Sequence, residues 1–276
     1  MSGILYVVAT PIGNLKDITL RALEVLGQVA CIACEDTRVT SKLLRHYGIQ
    51  KPLTSYHEHN EKQRSRELVG RLKSGESVAL LSDAGTPGLS DPGAHLVHSA
   101  VAAGIRCVPV PGASALPAIL SISGWEMDRL TFLGFAPARA SQLQKFLVGI
   151  SEEGIYCFYE SPHRILKLLE QLRVCWQDPQ IVAGRELTKL HEEILRGTAG
   201  ELKALLEQRQ RVLGEFVLLV QRPAGSPKTA DESLEKEFER LTAHGEDRKS
   251  ALRKLAQSRG LSRRELYNRL IKPKQT

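Results

Sequence analysis

The sequence predicts an α/β protein, two layered lobes followed by a small helical region. Three observations carry that prediction. Short apolar runs of strand length alternate with amphipathic helical patterns as far as residue 222, which is how βαβ units read. The length of 276 residues divides into about two domains of ordinary size. Beyond them the Pro/Gly/Ser stretch Arg222–Lys228 introduces a basic segment with helical periodicity.

In chain order, Ile4–Ala9 reads as a strand and Asp17–Leu26 as a helix with Asp17 at its N-cap. Val29–Cys34 is a strand, Ser41–Tyr47 a helix stopped by Gly48, and Asn60–Lys73 a charged amphipathic helix ending at Gly75. Val78–Leu81 is a buried strand, His95–Ala103 a helix and Ile105–Val110 another strand, so a first domain is expected over 1–123. Strands at Arg129–Phe135, Ile155–Tyr159, Gln180–Gly184 and Phe216–Gln221, with helices at Ser141–Ile150, His163–Leu172 and Gly200–Gln208, give a second α/β domain over 124–222. A linker at 223–232 leads to a helical domain at 233–276. There Leu234, Phe238 and Leu241 share a face, and Ala251–Ala256, Gly260-Leu261-Ser262 and Leu266–Leu270 are spaced as helix, tight turn, helix. Ser262 and Glu265 read as a capping box.

Composition narrows the class. An apolar share of 42% and a charged share of 25% suit a globular chain and exclude disorder over the whole length. The early apolar run Ile4–Ala9 is far shorter than the ~20 residues that span a bilayer, and no basic segment precedes it. A cytoplasmic protein with no membrane contact is expected. Five cysteines in apolar stretches read as reduced thiols, and the lone C-x-x-C of Cys31 and Cys34 reads as strand thiols rather than a zinc or redox site. No metal is expected. The net charge of +7 is local: Arg248–Thr276 holds ten Lys or Arg and one acid, while the other 247 residues balance at −2. A polyanion would be gripped at that end, with Lys249, Arg253, Lys254, Arg259, Arg263, Arg264 and Arg269 as candidate phosphate contacts. A helical capping or dimerisation bundle is the plainer alternative.

Candidate chemistry lies in loops that follow strands, because ligands of open α/β sheets bind beyond the carboxyl ends of the strands. Ala9-Thr10-Pro11-Ile12-Gly13-Asn14 has one glycine, and Pro11 lacks an amide, so it is no dinucleotide fingerprint; no P-loop occurs elsewhere. Glu35-Asp36-Thr37-Arg38 sets two carboxylates beside an arginine, able to orient a hydroxyl or a base edge, or simply to be solvated. His57-Glu58-His59 offers two imidazoles without a third metal ligand. Ser82–Gly93 packs three glycines and two prolines into twelve residues, a shaped loop that lets a ligand approach the backbone. Pro109–Ala115 repeats the theme and places Ser114 at a helix N-cap. In the second half Tyr159–Arg164 and Arg185–Lys189 follow strands, and Gly214-Glu215-Phe216 precedes one. A cleft between two domains would use them all.

In this order and spacing, ATPIGN, EDTR, DAGTPGLSDPG, PGASA, YESPHR and GRELTK resemble the tetrapyrrole-methylase superfamily of S-adenosylmethionine enzymes. More narrowly, the chain is similar to the bacterial branch that 2′-O-methylates a cytidine ribose in small-subunit (16S) ribosomal RNA, over about residues 1–222 and in its basic helical end. Porphyrin-acting members carry a glycine-rich acidic first loop and a G-D-P block where this chain has TPIGN and SDAGTP, which argues against a tetrapyrrole substrate. The resemblance implies a two-domain tetrapyrrole-methylase-like fold, a homodimer, and the methyl donor S-adenosyl-L-methionine in the cleft between domains. It implies that Ile12 and Gly13 lie against the donor and that Asp83, Ala84, Gly85, Thr86 and Pro87 hold its polar groups. Ser114 and Ala115 would reach its methionine end, and Glu160, Arg185, Glu215 and Phe216 would close over the adenosine.

A sulfonium donor is already electrophilic. The chain must hold the ribose oxygen ~3 Å from the methyl carbon, in line with the departing sulfur, and ease the loss of its proton. Glu35, Asp36, Glu186 and Lys189 are the candidate catalytic groups, with Arg38 and Arg185 positioning phosphate; the residues leave the base unassigned. Two rival readings share parts of this layout. A tetrapyrrole C-methyltransferase would use the cleft without the basic end, and a nucleic-acid-binding regulator would use the α/β part as a ligand sensor.

Overall fold

The computed structural model describes residues 2–223 and, towards the C-terminus, 238–239, 241–242, 247–259, 262, 266–267 and 270. A first sheet joins β1 (Ile4–Val8), β2 (Cys31–Cys34), β3 (Leu53–Ser55), β4 (Val78–Leu81) and β5 (Arg106–Val110) in the order β3-β2-β4-β1-β5, all parallel. β2 and β4 are buried at every position, as strands covered on both faces must be. The twofold period of β4 divides it between two cores. Val78 and Leu80 meet Leu68 and Leu72 of α3 (Glu61–Lys73) and Leu96 of α4 (Ala94–Ala102). Ala79 and Leu81 meet Leu26 of α1 (Leu20–Gln28) and Leu44 of α2 (Thr37–His46).

Two local expectations are corrected here. Asp17 is not the cap of α1: the Thr19 hydroxyl accepts the Ala22 amide, and Asp17 closes a 3₁₀ turn, Leu15–Asp17, held by the Asn14 side chain. A side-chain acceptor two residues ahead of Lys16 wins the local backbone away from the helix. β3 has no counterpart among the strands read from the sequence, because three half-buried edge residues carry no alternation.

The second sheet joins β6 (Leu130–Phe135), β7 (Gly154–Glu160), β8 (Gln180–Arg185), β9 (Glu193–Thr198) and β10 (Phe216–Arg222) in the order β6-β7-β10-β8-β9. Only β6 and β7 run parallel; β10 is antiparallel to both β7 and β8, and β9 to β8. On one face lie α6 (Ala140–Gly149), α7 (Ile165–Cys175) and α8 (Ala199–Glu207), around the buried Trp176. The other face is covered by α5 (Ala115–Ser121), whose Ile119 is fully buried against Val182, Val217 and Leu219. The expected boundary at 123 places α5 in the first domain, yet its apolar partners are in the second.

Towards the C-terminus, Asp247 accepts the Lys249 amide at the start of α9 (Arg248–Arg259). Phe238, Ala251, Leu252, Leu255, Ala256 and Leu266 form a small core of their own. The expected linker beyond Pro223, the Gly260-Leu261 turn and Glu265 lie outside the described residues. No helix among the described residues is long and apolar enough to cross a membrane. All five cysteines are free thiols; Cys31, Cys34 and Cys157 are buried and Cys107 and Cys175 half-buried.

Candidate functional site, a cleft between the lobes

The reversed direction of β10 builds the second wall of the site. Phe216, its first residue, pairs with Glu160 at the end of β7 and with Arg185 at the end of β8. Residues that precede β10 therefore meet residues that follow β7 and β8. Facing them are the loops after β1, β4 and β5. The cleft between has a volume of about 400 Å³. Ile12, Ala84, Thr86, Ser114 and Ala115 line it from one side, Glu160, Glu186, Lys189, Glu215 and Phe216 from the other.

The remaining expected donor residues stand behind that lining. Thr10 and Gly85 exchange backbone hydrogen bonds of 2.8 and 3.0 Å, and Gly85 adopts φ +80°, a conformation that favours glycine. Asp83 Oδ1 accepts the Asp36 amide at 3.0 Å, tying the loop after β4 to the loop after β2. Gly13 leaves room for the second lobe: a Cβ there would stand 2.3 Å from Lys189 Cγ. The next amide, Asn14, donates to Thr188 Oγ1 at 3.1 Å, so the lobes touch through this loop. Pro87 lines a separate hollow with Gly88, Gly93 and Val97. Arg185 turns its guanidinium to the Leu213 carbonyl at 2.8 Å and to Glu193 at 3.3 Å.

Of the four catalytic candidates, the fold brings Glu186 and Lys189 into the cleft. Lys189 Nζ lies 2.8 Å from Glu186 Oε1 and 3.1 Å from Glu215 Oε2, and the Glu215 amide donates to Glu186 at 3.0 Å. Burial works to raise the Glu186 carboxyl, but the hydrogen bonds from Lys189 and Glu215 bring it below its ordinary value. Burial works to lower Lys189, and its two carboxylate partners more than reverse this. Both groups stay charged. The turn that presents them is strained, with Glu186 at φ +50° and Thr188 at φ +67°.

Glu35 and Asp36 are not among the residues lining the cleft. Burial, then the charges of Asp83, Asp91 and Asp36, push Glu35 up. Asp36 accepts the Arg38 amide as the N-cap of α2, and hydrogen bonds from Arg38 draw its carboxyl down to about 2. Arg38 is paired to it at 2.6 Å on the open surface. His57 and His59 have ring centroids 5.9 Å apart, and no three His, Cys, Asp or Glu side chains among the described residues are grouped to hold a metal. Lys249, Arg253 and Lys254 are exposed on α9, whereas the side chain of Arg259 and all of Arg263, Arg264 and Arg269 lie outside the described residues.

Glu160 is 2% exposed, and burial raises its carboxyl, opposed by the Ser161 amide at 2.8 Å and by Arg164 at 3.2 Å. Asp91 also lines the cleft and is raised by burial. Asp91, Glu160, Glu186 and Glu215 thus face a single lysine among the described lining residues. Such a lining suits a ligand that carries positive charge beside apolar surface, as a sulfonium donor with an α-amino group does. Phe135, Gly184 and Val217, which are not among the expected site residues, also line the cleft. No motif marks them; they matter through where their strands end.

Two α/β lobes that close on one acid-lined cleft define a class of two-lobed, ligand-enclosing proteins. The chain belongs to the tetrapyrrole (corrin/porphyrin) methylases, the family that matches its residues 4–203. A Synechocystis sp. protein named ribosomal RNA small subunit methyltransferase I is 45% identical over 269 residues, 96% of each chain. The Haemophilus influenzae protein of the same name is 50% identical over 232 residues, 83% of this chain and 81% of its own. The crystal structure of uroporphyrin-III-C-methyltransferase from Thermus thermophilus shares the fold, with a TM-score of 0.58 at 17% identity over 80% of this chain and 94% of that one.

Proposed function

We propose that this chain is an S-adenosylmethionine-dependent methyltransferase that methylates the ribose 2′-oxygen of a cytidine in small-subunit (16S) ribosomal RNA. The observation that carries the reading is the acid-lined cleft between lobes, found in a chain 45–50% identical to proteins named for small-subunit ribosomal RNA methylation. When bound, the donor supplies an electrophilic methyl group.

The chain's own residues divide the remaining work. Glu160, Ile12, Ala84, Thr86, Ser114 and Ala115 hold the donor, with Gly13, Asp83, Gly85 and Pro87 shaping the loops behind them. Glu215 and Phe216 close the opposite wall, and Arg185 braces it through Leu213 and Glu193. Glu186, ionised, accepts the hydrogen bond of the incoming hydroxyl. Lys189, 2.8 Å from Glu186, keeps its charge and steadies the oxygen as its proton passes to Glu186. Glu35, Asp36 and Arg38 shape the approach from the first lobe. The basic C-terminal region captures RNA, and two copies of the chain form the working dimer in the cytoplasm.

The test is direct: purified protein is incubated with labelled donor and hypomodified 30S subunits, and the label is mapped. Label at one cytidine 2′-oxygen is expected. Label in a porphyrinogen instead, or donor binding without transfer to either, overturns the reading.

A further inference from the structure

Phe132 and Phe135 are three residues apart in β6, an odd spacing that sends side chains to opposite faces of a regular strand. Here they share a face. Phe132 pairs with Cys157, Gly134 with Phe158 and Phe135 with Tyr159, so Leu133 is an inserted residue and the strand bulges. The bulge rests on Gly134 at φ +62°, where a Cβ would stand 2.9 Å from Ser90 Oγ of the loop after β4. Both phenylalanine rings then meet Tyr159 edge-on, with centroids 5.0 Å apart for Phe132 and 6.0 Å for Phe135. The result is an aromatic step at the cleft. Phe216, deeper in the wall, is 3% exposed, while Phe135 is 55% exposed. A strand irregularity beside a binding cleft, held by a glycine and aiming a large apolar ring at solvent, is an arrangement that a core does not require.

Resting on the function proposed above, we propose that Phe135 is the platform on which the base of the target nucleotide stacks. The base is joined to the ribose carbon next to the one that bears the 2′-oxygen. Once that oxygen enters the cleft, the base lies within one nucleoside of it, at the rim. It has also left its neighbours in the RNA, because a ribose inside a stacked helix cannot enter a cleft between two lobes. An unstacked base exposes two flat faces, and an exposed aromatic ring replaces the lost stacking. Phe135 lines the cleft yet is 55% exposed, so its ring is open to a base that stands at the rim.

The test compares wild type, Phe135→Ala, Phe135→Leu and Phe135→Trp, with S-adenosylmethionine and hypomodified 30S subunits. Donor affinity is measured by calorimetry and particle size by light scattering. For Phe135→Ala, kcat/KM for the subunit should fall about ten- to a hundredfold, with donor affinity within twofold of wild type. Phe135→Leu keeps apolar bulk without a π face and should fall alongside it, whereas Phe135→Trp should recover most of the rate. Unchanged subunit kinetics in Phe135→Ala overturns the proposal. So does a loss carried by donor affinity, which would put the ring over the donor, or a smaller particle, which would put it in an interface between copies. If wild type itself transfers no label to small-subunit RNA, the parent reading fails first and this inference falls with it.

Discussion

At the scale of single residues, the proposed function gives the proton of the incoming hydroxyl to the charged trio Glu186, Lys189 and Glu215, which are bonded to one another in the cleft. Replacing Lys189 with Met removes the cation proposed to steady the reacting oxygen, so kcat should fall about a hundredfold while donor affinity, read by calorimetry, changes little. Glu160 gives a stability signature. Its carboxyl is raised in the folded state, so folding favours the protonated form, and that contribution is full below the ordinary carboxylate range and lost as pH rises through the raised value. Glu160→Gln cannot ionise, and its denaturation midpoint should therefore fall less than that of wild type between pH 4 and 7. Residue types announced much of this: GRELTK and YESPHR bring their carboxylates to the cleft. EDTR was equally conspicuous in sequence, yet Glu35 and Asp36 stand outside the cleft lining. Asp36 caps α2, and an N-cap carboxylate looks the same in a sequence as a catalytic one.

At the scale of elements, strands with two covered faces were easy to read, because continuous apolar runs such as VALL and CIAC admit no other role. β3 and β9 escaped for opposite reasons. β3 is too short to show a pattern, and β9 (Glu-Ile-Leu-Arg-Gly-Thr) mixes polar and apolar residues without alternation, entering the sheet through its backbone pairing with β8. The βαβ pattern gives the parallel direction of the first sheet but not the antiparallel pairings of β8, β9 and β10 in the second. α8 shows what a local signal can fix: the Thr198 hydroxyl accepts the Glu201 amide and the Glu201 carboxylate accepts the Thr198 amide. Thr198→Ala should cost about 1 kcal/mol in chemical denaturation and leave donor affinity unchanged, since α8 lies on the face away from α5 and contributes nothing to the cleft lining.

At the scale of the whole molecule, the cleft and the basic end are separable. Every residue lining the cleft precedes β10's end, and the described residues beyond it pack in their own core. Deleting residues 226–276 should leave donor affinity unchanged, raise the KM for the ribosomal substrate and flatten the salt dependence of RNA binding, because the lost cations are the phosphate contacts proposed above. An unchanged salt slope in a filter-binding titration would assign the region to packing instead. The central position of β10 has a further consequence, for the order in which the protein comes into being. Until residues 216–222 are synthesised, the second lobe is two separate strand pairs, β6 with β7 and β8 with β9, whose facing inner edges offer unpaired backbone to any passing chain. The final strand then closes the gap from the middle outwards, through contacts distant in sequence from β7, which makes the lobe slow to form. A nascent chain halted before Phe216 is therefore aggregation-prone and blind to its own ligand, and a donor-bound molecule certifies that its last strand is in place.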